Sequence, residues 1–145
     1  MNKVLIVIFM FIGFVSYSQD SYFAKHQHIA DSLENVYGIP SSLMLAVAYH
    51  ESAGGKSAVA KHSNNHFGIK GKNHKVNSKY RYYESTIDSY VGFCKLVTGR
   101  KFYSTLKNTT DVKKWVINLS KTGYAANSTT WSQKIMGIIK NNNLN

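Results

Sequence analysis

Glu51 stands just beyond an apolar stretch, Leu43 to Tyr49, inside the run YGIPSSLMLAVAYHESAGGKS. Folding does not require a carboxylate there. At helical spacing the residues one and two turns before it are Val47, Ala48 and Met44, all apolar, so Glu51 is expected to be half-buried rather than solvated. Desolvation by that stripe favours the protonated carboxyl. The negative end of the helix dipole does the same if the helix stops at Gly54-Gly55. A carboxyl that keeps its proton near neutral pH is what a general acid needs.

Other chemistries find less support. Six histidines invite a metal, but no second histidine stands one turn from His50, and His26 and His28 fall on different sides of their helix. No metal and no cofactor is expected. Cys94 lies in the apolar run Val91 to Val97 and reads as a packing thiol. No nucleophile-elbow pattern surrounds any serine. Lys79-Tyr80-Arg81-Tyr82-Tyr83 interleaves cations with aromatics, which suits stacking on bases or on sugar rings.

The elements that must position Glu51 follow from periodicity and punctuation. A helix is expected over Asp20 to Tyr37, stopped by Gly38, and a second opens at Pro40 or Ser41 and carries Glu51. Ser57 can cap a short helix over Ala58 to Lys61. Phe67 to Gly71 and Tyr80 to Tyr83 read as two short strands joined by a polar, basic tip, Lys72 to Lys79. Ser85, with Asp88 three residues on, caps a helix reaching Gly99. After a short segment, Phe102 to Leu106, Thr109 or Thr110 caps a helix over Val112 to Lys121. Gly123-Tyr124-Ala125 is a loop, and a last helix covers Thr130 to Lys140. The fold class is therefore α+β, mainly α-helical, with a small β-hairpin placed to wall a cleft beside Glu51.

Length and composition set the frame. The 145 residues, 43% hydrophobic, suit one domain with one core. Lys3, the apolar run Val4 to Val15, and small residues at Ser16 and Ser18 have the layout of a secretory signal peptide over residues 1–18, leaving a mature domain over 19–145. The apolar run is shorter than the roughly 20 residues of a spanning helix, so no stable membrane insertion is expected after cleavage. With a single cysteine an internal disulfide is impossible. The formal charge of +11 seeks a polyanion. Export to the periplasm or the extracellular space makes envelope polymers a better partner than nucleic acid, and a monomer is expected.

The stretch Tyr37 to Ser57, followed by Ala60-Lys61, Asn64-Asn65-His66-Phe67-Gly68-Ile69-Lys70-Gly71, Tyr83-Glu84-Ser85 with Asp88-Ser89, and Lys121-Thr122-Gly123-Tyr124-Ala125, resembles the bacterial endo-β-N-acetylglucosaminidases of glycoside hydrolase family 73, the autolysin and flagellar-muramidase type. Nearly the whole mature chain is covered. The resemblance implies a lysozyme-like fold that cuts peptidoglycan glycan strands between N-acetylglucosamine and N-acetylmuramic acid. It makes Glu51 the general acid and Tyr124 the active-site tyrosine, and puts Asn65, Phe67, Gly68 and Tyr83 on the substrate-binding wall. Many members of the family carry a second glutamate in the hairpin, whereas residues 72–83 contain no Asp or Glu here. Glu84 and Asp88 are the nearby candidates for a second acid. The alternative is assistance by the acetamido group of the substrate itself. A lytic transglycosylase, or a peptidoglycan-binding module without catalysis, are the competing readings.

Overall fold

The computed structural model of the protein describes residues 21–144, and the expected signal segment 1–18 lies outside the described residues. Helix α1 spans Ser21–Tyr37, α2 Ser41–Ser52, α3 Ala58–Ser63, α4 Thr86–Thr98, α5 Tyr103–Leu106, α6 Val112–Leu119 and α7 Ser128–Asn141, with a π-helical turn, Ser120–Tyr124, between α6 and α7.

Helix α2 is the axis of the domain. Leu43, Met44, Leu45, Ala46, Val47 and Ala48 are all fully buried, because α1, α6 and α7 pack around the helix. A helix apolar on every side has no face to give to water. Pro40 precedes its first turn, and its end is abrupt: Ala53, Gly54 and Gly55 all take left-handed φ values of 52°, 63° and 77°. Ser52 stitches this turn by donating to Ala48 O at 2.6 Å and accepting from Gly55 N at 2.8 Å. Glu51 is thereby fixed on the last turn of a rigid rod.

Helix α4 begins at the expected cap. Ser85 Oγ accepts from Asp88 N at 3.2 Å and donates to the Asp88 carboxylate at 2.7 Å. Cys94 is buried on this helix with Sγ 3.5 Å from Met44 Sδ, and burial pushes its thiol up to about 12, the state of a packing group rather than a nucleophile. Helix α6 departs from expectation at its start. Asp111, not Thr109 or Thr110, supplies the cap by accepting from Lys114 N at 3.2 Å. Thr109 is instead occupied by the Trp115 indole, whose N–H meets its hydroxyl at 3.2 Å.

The hairpin does not form as two strands. Among the described residues the segments meet in a single antiparallel bridge, Lys70 with Tyr80, flanked by Gly71 N to Lys79 O at 3.0 Å and Arg81 N to Ile69 O at 2.8 Å. Side chains take over what a ladder would supply. Asn65 Nδ2 donates to Ile69 O and Arg81 O, and its Oδ1 accepts from Ile69 N. Asn73 Nδ2 reaches Tyr80 O. Asparagine amides that pair with backbone groups compete with strand pairing. The result is an ordered loop pair beside a helical domain, at the position where a wall was expected.

Candidate active site

Glu51 is half-buried, as its apolar approach requires. Its Oε1 accepts a 2.8 Å hydrogen bond from the Trp131 indole N–H on the first turn of α7. Its Oε2 points to the opposite wall, where a β-carbon built on Gly68 would lie 3.7 Å away. Gly68 has φ of 63°, a conformation that side chains resist, so the wall stays bare beside this oxygen. The surrounding cleft, about 290 Å³, is lined by His50, Tyr124, Asn127, Thr130, Trp131 and Lys134 among others, and Glu51 is its one carboxylate among the described residues.

The π turn delivers Tyr124. Gly123 breaks the helical path at φ 78°, and the tyrosine ring then lies edge-on to Trp131 at 5.6 Å and to Phe93 at 6.1 Å. Its hydroxyl donates to Phe67 O at 2.7 Å. Burial first, then the charge of Glu51, then Tyr83, push the phenol well above its ordinary value of 10. Tyr124 therefore stays protonated near neutral pH, with its proton committed to a carbonyl and an oxygen lone pair left to accept.

The remaining wall residues turn their side chains away from the cleft. Phe67 is buried, its ring stacked on Phe93 at 4.4 Å, so only its carbonyl serves the site. Asn65 is buried and its amide is spent on the loop, as described. Tyr83 is 8% exposed, with its hydroxyl against Gly92, where an added β-carbon would sit 2.5 Å away, and without a hydrogen-bond partner among the described residues. These three residues hold the wall in shape, and Gly68 presents it to Glu51.

Glu84 and Asp88 do not line the Glu51 cleft. Asp88 is exposed and engaged in the α4 cap, while Glu84 is exposed and lies 3.7 Å from His74 Nε2. In their place the structure adds Trp131, Lys134 and His50. Trp131 reads from sequence as a core residue of the last helix. Only its indole N–H, which must find an acceptor when buried, hints at a partner such as a carboxylate.

A larger cavity, about 800 Å³, does not include Glu51. It is lined by Tyr22, Lys25, His26, Tyr49, Gly55, His66 and their neighbours. His66 Nδ1 lies 2.8 Å from Tyr22 Oη, and the His66 and His26 rings are 5.3 Å apart. Burial, then His26 and Lys25, lower His66 from 6.5 to about 4, and burial also lowers His26. Between these values the unfolded chain binds the proton and the fold does not, so stability is full above about pH 6.5 and falls as pH drops toward about 4. The loss due to His66 is roughly 3 kcal/mol. Thermal unfolding followed from about pH 7 to about pH 4.5 checks this, and His66→Gln is expected to flatten that part of the slope.

Comparison with known proteins places the chain. The sequence profile of the glucosaminidase family, described as mannosyl-glycoprotein endo-β-N-acetylglucosaminidase, matches residues 27–144. No curated protein matches the chain significantly. Among solved structures, the catalytic domain of the autolysin Auto from Listeria monocytogenes superposes with a TM-score of 0.72 at 24% identity, covering 87% of this chain and 85% of that one. The peptidoglycan hydrolase of Sphingomonas sp. A1 gives 0.68 at 23%, covering 85% and 88%. The glycoside hydrolase domain of Salmonella typhimurium FlgJ gives 0.66 at 23%, covering 83% and 85%. These likenesses show the shared fold, and the profile match shows the family to which the motifs around Glu51 and Tyr124 pointed: this chain belongs to the glucosaminidase family and is a glycoside hydrolase.

Proposed function

We propose that the protein hydrolyses the β-1,4 bond between N-acetylglucosamine and N-acetylmuramic acid in peptidoglycan, with Glu51 as general acid. The observation that carries the reading is the asymmetric hold on Glu51. An indole N–H can only donate, so Oε1 must accept, and the proton of the acid form rests on Oε2. That oxygen faces Gly68, where the missing side chain leaves room for a leaving glycosidic oxygen. The peptidoglycan hydrolases and autolysin among the similar folds support the same polymer as substrate.

With no second carboxylate lining the cleft among the described residues, the nucleophile is the acetamido oxygen of the −1 N-acetylglucosamine, or a water held by Tyr124. Retained and inverted products respectively follow. Tyr124, protonated and already donating to Phe67 O, acts as an acceptor that orients the water or the acetamido N–H, and its lone pair faces the developing oxocarbenium charge. The lone carboxylate also suits a lytic transglycosylase, in which the muramic acid hydroxyl replaces water.

Residues 1–18 serve as a cleaved export signal on this reading, delivering the enzyme to the envelope. No helix among the described residues is long and apolar enough to cross a membrane. The deciding experiment is mass spectrometry of purified peptidoglycan after digestion and borohydride reduction. Reduced glucosamine ends are expected. Anhydromuramic ends would establish the transglycosylase instead, and reduced muramic ends would refute both.

A further inference from the structure

The loop that continues the cleft wall carries a concentration of charge that the reaction at Glu51 does not use. Lys70, Lys72, Lys75, Lys79 and Arg81 are all exposed, and no Asp or Glu occurs in residues 72–83. Among the described residues the ion pairs are His74 with Glu84 and Lys114 with Asp111, so none of these five cations is paired with a carboxylate. Like charges crowded on one loop repel one another. The fold nevertheless holds them in place.

The hold is specific. Asn73 Oδ1 accepts from Lys75 N at 3.0 Å and Val76 N at 3.1 Å, while its Nδ2 bonds Ser63 Oγ at 3.1 Å and Tyr80 O at 3.2 Å, tying the tip to α3 and to the returning chain. Lys75 Nζ lies 5.5 Å from the centre of the Tyr82 ring, and Lys79 Nζ lies 5.5 Å from that of Tyr80. His74 packs edge-on to Tyr82 at 4.8 Å. Aromatic faces steady these ammonium groups without cancelling their charge. Lys72 is four residues from Gly68, so the array begins within about 14 Å of the residue facing Glu51.

We propose that this loop binds the carboxylates of the peptide stems attached to the glycan strand being cleaved, and so selects stem-bearing peptidoglycan over bare glycan. The inference rests on the peptidoglycan reading above. A strand seated with its scissile bond at Glu51 carries on each stem-bearing muramic acid a short peptide with free carboxylates, and a stem beside the cleft spans a distance similar to that from Gly68 to the lysines. Continuity with the catalytic wall favours this ligand over detached polyanions. A duplex nucleic acid would need a broad, open basic face, whereas this charge is a narrow loop at a cleft edge.

Binding is measured before appreciable cleavage, by fluorescence titration with soluble glycan strands stripped of phosphate polymers by acid and freed either by an endopeptidase, which cuts the cross-links and leaves the stems, or by an amidase, which removes the stems. Wild-type protein is expected to bind stem-bearing material roughly tenfold more tightly, and to lose that advantage between about 0.02 M and about 0.3 M salt. The variant Lys72→Gln/Lys75→Gln/Lys79→Gln is expected to bind both materials equally weakly. The arginine variant at the same positions is expected to bind as wild type does. Binding that is unchanged by stem removal overturns the proposal. So does a glutamine variant that still prefers stems, or wild-type binding that requires the phosphate polymers or is surpassed by binding to duplex DNA. Stem-dependent capture without release of new sugar ends would refute the glycosidase reading while leaving this one in place.

Discussion

Glu51→Gln should lower the release of reducing ends from peptidoglycan by roughly 10²- to 10⁴-fold, the usual contribution of a positioned general acid. Glutamine keeps the size of the side chain, and its amide oxygen can still accept from Trp131 N–H, now 2.8 Å from Glu51 Oε1. What it cannot do is deliver a proton from the other position, the one facing Gly68. The fold is therefore expected to survive, with unfolding free energy within about 1 kcal/mol of wild type. Release rates and thermal unfolding measured on the same preparation separate the two effects. A variant that folds normally and retains more than about a tenth of the activity would remove Glu51 from the chemistry.

The second large effect is expected at Tyr124. Tyr124→Phe takes away the donor to Phe67 O at 2.7 Å and leaves that carbonyl without this partner, at a cost of about 1–3 kcal/mol in stability. It also removes the lone pair beside the reacting carbon, for which a loss of roughly 10²-fold in kcat is expected, with a smaller change in KM. The pH profile carries a further distinction. Burial, Glu51 and Tyr83 hold the phenol well above 10, so the wild-type rate should show no alkaline limb from Tyr124 below that range. A variant with lowered melting temperature and unchanged kcat would reduce Tyr124 to a packing residue of the loop.

Much of this arrangement is legible in the sequence, for identifiable reasons. The central helix announces itself because it is apolar on all sides, and Glu51 stands out because it interrupts that pattern. The caps at Ser57 and Ser85 are local chemistry, and they form as expected, with Ser57 Oγ accepting from Ala60 N at 3.1 Å. The expected hairpin is a single bridge instead. Alternating aromatics near Tyr80 suggested a strand, but the amides of Asn65 and Asn73 took the backbone partners that a second strand would have used. Likewise Thr109 lost the capping role to Asp111 because the Trp115 indole claimed its hydroxyl. Trp131 was invisible as a site residue, since its value depends on a partner 80 positions earlier, and no local pattern encodes such a meeting. The resemblance puts Asn65, Phe67 and Tyr83 on the substrate-binding wall, whereas their side chains are buried in the structure, which motif position alone does not specify.

That long-range meeting also orders events in time. The general-acid candidate lies on the second helix of the chain, while the indole bonded to it and the phenol beside it come from the last quarter, the indole reaching back 80 positions to Glu51 and the phenol 57 to Phe67. A chain emerging from its N-terminus can bury α2 against α1 early, but its carboxyl lacks this indole donor until α7 docks. The candidate site is thus complete only once the C-terminal helix is in place, and a chain clipped before Trp131 carries Glu51 without its indole donor. If the proposed reaction is right, chain order alone keeps a partly made chain from holding its acid in the working position.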